Sequence, residues 1–248
     1  MKIITWNVNG IRARHAQLQD LLAAEQPDVV CLQEIKAAPD QVPALIAAPD
    51  GYWGYWHGGG GYSGVAILVR STAGADQPKF THPSFDVEHR IVVADLGGVR
   101  IASVYVPNGG KDYDAKRRFL TALASWASET NVTGGALLVC GDLNVALEER
   151  DVHPKERKPN QVGTRPDERA LLTNLIGTGF VDVGRALDPD NDELFTWWAP
   201  WRNLRQRNIG WRIDYVLASR PLAAGANRAA SLREFGTSDH APVVAHFA

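Results

Sequence analysis

An α/β protein in which stacked β-sheets are covered by helices is the fold this sequence predicts. Three observations carry that expectation. Short runs rich in valine and isoleucine recur along the whole chain, each of strand length and bounded by Gly, Pro, Asn or Asp. Helical periodicity appears between only some of them, which fits stacked sheets better than one doubly wound sheet. No internal repeat, low-complexity block or Ser/Gly linker divides the 248 residues, so one domain spanning residues 1–248 is expected.

The elements follow in order. A first strand is expected at residues 3–8, and Ile11, Leu18, Leu21 and Leu22 then mark the apolar face of a helix. Strands are expected at residues 29–32, 65–69, 91–96 and 101–106. Phe119, Leu120, Leu123 and Trp126 mark a second helix, and residues 137–140 read as the next strand. A third helix begins at Thr164, where Thr-Arg-Pro-Asp resembles a capping box with proline in the first turn. The last strands are expected at residues 213–217 and 243–247. After the run at residues 137–140, residues 150–166 ("RDVHPKERKPNQVGTRP") are long, polar and basic, either a solvated loop or one that faces a substrate.

Composition narrows the function classes. The chain is 45% hydrophobic and 22% charged, as expected of a soluble globular protein with a sizeable core. With a formal net charge of -2, any affinity for nucleic acid must come from a local patch. No apolar run approaches a membrane span, and the first residues run straight into a strand-like pattern rather than a secretion signal. Cys31 and Cys140 lie inside apolar runs, where reduced, buried thiols are expected, so a cytoplasmic location is the default. Two isolated cysteines do not spell a zinc site. "GYSGV" misses the spacing of a nucleophile elbow, and "HGGGGYSG" lacks the Lys-Ser/Thr of a phosphate-binding loop, so its glycines read as a turn between strands.

The chemistry-bearing residues stand at strand ends. Ile3-Ile4-Thr5-Trp6 leads to Asn7, Val29-Val30-Cys31-Leu32-Gln33 to Glu34, and Leu137-Leu138-Val139-Cys140-Gly141 to Asp142 and Asn144. Brought together, those ends form an oxygen-rich pocket of the kind hard divalent cations require. Each residue alone is as readily a turn or cap residue. Asp214 sits within the apolar "WRIDYVL", where an ionised carboxylate needs a partner, and His240 in "TSDHAP" is the candidate. A carboxylate that fixes one imidazole nitrogen leaves the other free to act.

The motifs "WNVNGIR", "CLQEIK", "GYSGVAIL", "SVYVPNG", "CGDLNVA", "GWRIDYVLAS" and "TSDHAPV" occur in the order found in the exonuclease III family of apurinic/apyrimidinic endonucleases, which the chain resembles from first strand to last. The resemblance implies a four-layer αββα sandwich, two packed mixed β-sheets flanked by helices. It also implies Mg2+-dependent hydrolysis of the phosphodiester 5′ to an abasic site in duplex DNA, with Mn2+ as a substitute ion. Activity on blocked 3′ ends, as 3′–5′ exonuclease or 3′-phosphatase, and a monomeric state come with it. By motif, Glu34 resembles the principal metal ligand, with Asn7 and Asp239 nearby. Asp142 resembles the residue that activates or positions water, helped by Asn144. His240, oriented by Asp214, resembles the group on the scissile phosphate, and Tyr105 and Asn108 resemble further phosphate contacts. Asn9 and Lys111 depart from the aspartate and arginine of other members.

Residues 195–215, "FTWWAPWRNLRQRNIGWRIDY", carry four of the eight tryptophans among arginines. Trp197, Trp211 and Ile213 resemble the wall of a pocket for an extruded abasic sugar. Trp198 is expected in the core. Arg202, Arg205 and Arg207, together with Arg165 in the basic loop, are expected to contact DNA phosphates. Two other readings remain open to the sequence. One is a phosphatase or phosphodiesterase acting on a small or lipid-linked phosphate, and the other is a DNA-binding relative without activity.

Overall fold

The computed structural model describes residues 1–74, 76–132 and 136–248. Two six-stranded mixed sheets form the centre of the molecule. The first contains β1 (Lys2–Asn7), β2 (Val29–Gln33), β3 (Tyr52–His57), β4 (Val65–Arg70), β11 (Ala226–Ser231) and β12 (Val243–Phe247), in the order β11-β12-β1-β2-β4-β3. The second contains β5 (Lys79–Thr81), β6 (Ile91–Asp95), β7 (Val99–Tyr105), β8 (Ala136–Asp142), β9 (Phe180–Asp182) and β10 (Asp214–Ser219), in the order β5-β6-β7-β8-β10-β9. Helices α1 (Ile11–Glu25), α2 (Ala44–Ala47), α3 (Tyr113–Val132), α4 (Pro166–Gly177), α5 (Val183–Leu187) and α6 (Arg220–Ala223), with 3-10 turns at Pro39–Gln41, Glu149–Asp151 and Pro154–Glu156, complete the described elements.

Alternation along the strands explains the layering. In β1 and β2, Ile3, Val29 and Cys31 point into a seam shared with Val92, Ala94, Ile101, Leu138 and Cys140 of the other sheet. Their neighbours Ile4, Val30 and Leu32 point outward and pack under Ile11, Leu18, Leu21 and Leu22 of α1. The outer face of the second sheet is covered in the same way by Phe119, Leu120 and Leu123 of α3 and by Leu172 and Leu175 of α4. Strands buried on both faces read as continuous apolar runs, which is why β1, β2, β4, β6, β7, β8, β10 and β12 stand out in the sequence. Both cysteines are free and buried in the seam, and burial holds the Cys31 thiol well above its ordinary pKa. Among the described residues, no helix is long and apolar enough to cross a membrane.

One expected detail shifts. The helix expected from Thr164 begins at Pro166, and Thr164 donates to the Gln161 carbonyl instead of capping it. Glu168 performs the capping: one carboxylate oxygen accepts the amides of Gly163 (2.6 Å) and Arg165 (2.9 Å). Its other oxygen lies 2.5 Å from Lys116, and both side chains are wholly buried. Lys116 also donates to the Asn144 carbonyl at 2.6 Å, so this pair ties α3 and α4 to the loop after β8.

Register does the remaining placement. In the parallel β7–β8 ladder Tyr105 pairs with Asp142, and in the antiparallel β8–β10 ladder Asp142 pairs with Asp214. Asn7 pairs with Gln33 at the same edge of the other sheet. The approach of the chains is close at Gly141, where a Cβ would stand 1.9 Å from the Val104 carbonyl oxygen. A Gly141→Ala variant is therefore expected to lose about 3 kcal/mol or more of stability in urea denaturation. A loss below about 1 kcal/mol would mean the ladder relaxes around a methyl group.

Candidate active site

A pocket opens at the edge where these strand ends meet. Its wall includes Glu34, Tyr105, Asn108, Asp142, Asn144, Trp197, Trp211, Ile213, Asp239 and His240, with Gln161, Val162 and Gly163 of the basic loop. Residues 150–166 thus do reach the pocket, through their last third, while two short 3-10 turns, Glu149–Asp151 and Pro154–Glu156, order the rest.

Its floor is a buried network of charge. His240 Nδ1 lies 2.9 Å from Asp214 Oδ2, which also accepts the Thr196 hydroxyl at 2.7 Å. His240 Nε2 faces Asp142 Oδ2 at 3.8 Å. Burial opposes a charged ring, but Asp214 and Asp142, with Asp239 beyond, outweigh it and push the His240 pKa up to about 10. Burial raises the pKa of Asp142, and the charge of Asp214 adds to this; His240 and the amides of Asn7 and Asn144 oppose it. Those amides fix the carboxylate: Asn7 Nδ2 donates at 2.9 Å and Asn144 Nδ2 at 3.2 Å to Oδ2, and the Asn144 backbone donates at 2.9 Å to Oδ1.

Asn7 is placed differently from the expectation of a residue beside a metal. It is fully buried behind Asp142, with its amide nitrogen given to Asp142 and its oxygen accepting the Asn9 amide at 3.0 Å. It orients the carboxylate rather than offering an oxygen to the pocket. Asp142, Asp214 and His240 lie close enough for a metal to be held among them, since one donor atom of each falls within 4.8 Å of the others. Their mutual ion pairing occupies those atoms, however, and a cationic ring is a poor ligand.

The open oxygen donors are Glu34 and Asp239. Asp239 Oδ1 accepts from Asn9 at 2.8 Å and Oδ2 from the Trp197 indole at 2.9 Å. Although burial opposes ionisation, the charge of His240 and these two donors hold its pKa below the ordinary carboxylate value. Glu34 lies 3.0 Å from Lys36, whose ammonium donates to Asn9 at 2.7 Å. Asn9, the position that departs from an aspartate, therefore bridges Lys36 and Asp239 across the rim. Glu34 and Asn144 both adopt left-handed backbone (φ 55° and 52°), a conformation costly for side-chain-bearing residues and frequent at functional sites. Carboxylates with water access on one wall, beside a site already holding a side-chain cation, fit a hard divalent ion.

Tyr105 is buried against the pocket, and burial reinforced by Glu34 and Asp142 raises its pKa far above the ordinary value, so it is a neutral donor. Arg90 lies over its ring at 4.9 Å. Asn108 donates to Asn144 at 3.2 Å and is itself exposed.

The segment 195–215 separates into parts. Trp197 and Trp211 meet edge-on at 5.9 Å and with Ile213 make the apolar side of the pocket. Trp198 is buried in a small core with Phe195, Leu204 and Ile209. Arg212, which carried no assignment from sequence, is buried and paired with Asp151 (2.8 Å) and Asp182 (2.6 Å), and Arg185 joins Asp151 at 2.8 Å. Arg205 departs from the expected phosphate contact. Its guanidinium donates to the carbonyls of Arg233, Ser238 and Phe235 and lies over Trp198, so it fastens this loop to the one leading to His240. Arg202, Arg207 and Trp201 are exposed, as is Lys111. Arg165 is half-exposed, stacked on Tyr113 at 4.0 Å and paired with Asp167 at 3.3 Å. None of these five lines the pocket itself. Signals for the buried basic residues were faint: Arg212 is set between Trp211 and Ile213, but Lys116 lies in a charged stretch beside Arg117, and nothing in one dimension names the acidic partner of either.

Comparison with known proteins agrees with this fold. The chain is 34% identical over 250 residues to the exodeoxyribonuclease of Bacillus subtilis (strain 168), covering 98% of each. It is 33% identical to Recombination repair protein 1 of Drosophila melanogaster, of whose length it spans 37% while being covered completely itself. Among solved structures, a 3′-5′ exonuclease (NExo) from Neisseria meningitidis superposes with a TM-score of 0.91 at 33% identity, covering 100% of this chain and 99% of that one. An AP endonuclease from Archaeoglobus fulgidus gives a TM-score of 0.90 at 30% identity with the same coverage. Residues 4–240 match the profile of one family across nearly the whole chain, and the protein belongs to that family, the Endonuclease/Exonuclease/phosphatase family.

Proposed function

We propose that this protein is a DNA repair endonuclease in which residues 1–248 act as one catalytic domain. It hydrolyses the phosphodiester 5′ to an abasic site in duplex DNA and leaves a 3′-hydroxyl and a 5′ deoxyribose phosphate. The observation that carries the reading is the pairing of a charged floor, Asp142 and His240, with an apolar wall, Trp197, Trp211 and Ile213, in one pocket. A base edge needs hydrogen-bond partners that such a wall lacks, whereas a bare sugar does not. The names of the relatives, exodeoxyribonuclease and AP endonuclease, support the same reading.

In this mechanism His240, held cationic by Asp214, donates from Nε2 to a non-bridging oxygen of the scissile phosphate and offsets charge as phosphorus becomes pentacoordinate. Asp142 takes the proton of the attacking water, its carboxylate held in place by Asn7 and Asn144. The neutral Tyr105 hydroxyl and the Asn108 amide donate to phosphate oxygens. Glu34 and Asp239 would hold Mg2+, or Mn2+ in its place, and the bound ion supplies charge neutralisation at the phosphate. Arg202, Arg207, Lys111 and Arg165 lie outside the pocket, where phosphates of the flanking duplex would pass. The partner is duplex DNA with abasic sites or blocked 3′ ends, and the protein acts as a monomer in a reducing, intracellular compartment, in keeping with two free buried cysteines.

A duplex oligonucleotide bearing one abasic analogue is expected to be cut once, 5′ to the analogue, in Mg2+ and not in excess chelator. No incision by folded, metal-replete protein overturns the reading, and cleavage confined to 3′ termini would assign the pocket to end processing, the activity that the Neisseria relative's name describes. For Asp142→Asn, turnover is expected to fall about 10^3-fold while the Kd for the same DNA stays within about threefold. Parallel loss of binding and turnover would make Asp142 a structural residue.

A further inference from the structure

Three of the seven histidines gather at one place, and none of them lines the catalytic pocket. His57 ends β3 at the edge of the first sheet. His82 directly follows β5 at the edge of the second sheet, and Asp86 and His89 lie in the connection to β6. His57 Nε2 is 2.7 Å from Asp86 Oδ2, and the Asp86 side chain is fully buried. The His82 ring stacks on His57 with centroids 4.5 Å apart, and His89 meets His57 edge-on at 4.7 Å. One donor atom from each of His57, His82 and Asp86 lies within 4.8 Å of the other two.

Two supporting contacts aim these groups. The Arg90 amide donates to Asp86 Oδ1 at 2.8 Å, which turns Oδ2 toward His57, an arrangement typical of a ligand oriented from behind. A Cβ at Gly59 would stand 3.1 Å from His89 Cε1, so the glycine leaves room for that ring beside His57. His82 is exposed and offers a path of entry.

We infer that His57, His82 and Asp86 form a site for an imidazole-preferring divalent transition metal such as Zn2+, with His89 placed to supply a fourth donor. The donor set differs from the all-oxygen wall of the pocket: two or three imidazoles with one carboxylate suit a borderline ion rather than Mg2+. Zn–N bonds of about 2.1 Å put neighbouring donors roughly 3.3 Å apart, within reach of a rotation of the exposed His82. Binding displaces the proton between His57 and Asp86 to solvent. The ion would join the β3 edge of one sheet to the β5–β6 connection of the other. That connection ends in Arg90, which lies over the Tyr105 ring.

The test is titration of the full-length protein with Zn2+ alone, read by calorimetry, by competition with a chromophoric chelator, and by the visible spectrum of a Co2+ form. One equivalent is expected to bind with a Kd of about 1 μM or tighter and to raise Tm. The same equivalent should bind to Glu34→Gln/Asp239→Asn, whose pocket lacks its two open carboxylates. His82→Ala, a change at an exposed side chain, should weaken binding at least about tenfold and abolish the Tm shift, with circular dichroism unchanged. The inference is overturned if no equivalent binds at about 100 μM Zn2+, if His82→Ala and His57→Ala/His82→Ala bind as the parent does, or if binding disappears only in the pocket variant.

Discussion

A buried imidazole between two buried carboxylates is the interaction on which the rest of this site depends. The antiparallel register of β8 and β10 sets Asp142 opposite Asp214, two acids removed from water in adjacent strands. Left alone, their desolvation and repulsion would force protonation or open the strand ends. His240 enters from the turn before β12 and carries the compensating charge. The same Asp214 oxygen holds Thr196, whose hydroxyl in turn accepts the amides of Ile213 and Asp214. The acid that orients the histidine therefore also seats the segment that walls the pocket, so the charged floor and the apolar wall are one construction.

That construction explains how tryptophan and arginine can be interleaved along residues 195–215. Trp201 aside, the flat rings face either the pocket or a local core, and the arginines either stay in solvent or bond to acids or carbonyls of other elements. Arg212 and Arg205 belong to the second kind. Arg212 is desolvated among Asp151, Asp182 and the Tyr215 ring, where removing one partner would strand a buried charge. Arg205 satisfies three carbonyls on the approach to His240. Basic side chains in this segment thus hold the geometry of the pocket from behind, while Arg202 and Arg207 stay in solvent.

Legibility followed burial. The eight strands visible as apolar runs are those with neighbours on both sides, and the four that were not visible, β3, β5, β9 and β11, are the four sheet edges. An edge strand covered on one face carries exposed and polar positions, as in β5, where Lys79 and Thr81 are exposed on either side of Phe80, and loses the signal. The candidate site residues Glu34, Asp142 and Asn144 were legible because each stands at or just past the end of a buried run, as Asp142 does after Gly141. Roles that depend on a partner distant in sequence were not. Asn7 looked like a residue beside a metal until its amide was seen on Asp142, and Lys116 gave no hint of Glu168. Thr196, 18 residues from Asp214, carried no signal at all.

The protonation of His240 tests the central claim most directly. The ring's raised pKa means that its contribution to stability is complete below its unfolded value of about 6.5 and is lost as pH rises through about 10. Nitrogen-15 NMR of the metal-free protein, with His240 assigned through His240→Gln, reads this state site by site. Both ring nitrogens should remain protonated from pH 6 through pH 8, with titration near pH 10. A ring that titrates near 6.5, or a single neutral tautomer at pH 7.5, would show that the carboxylates do not hold a cation, and the account of the site would fail.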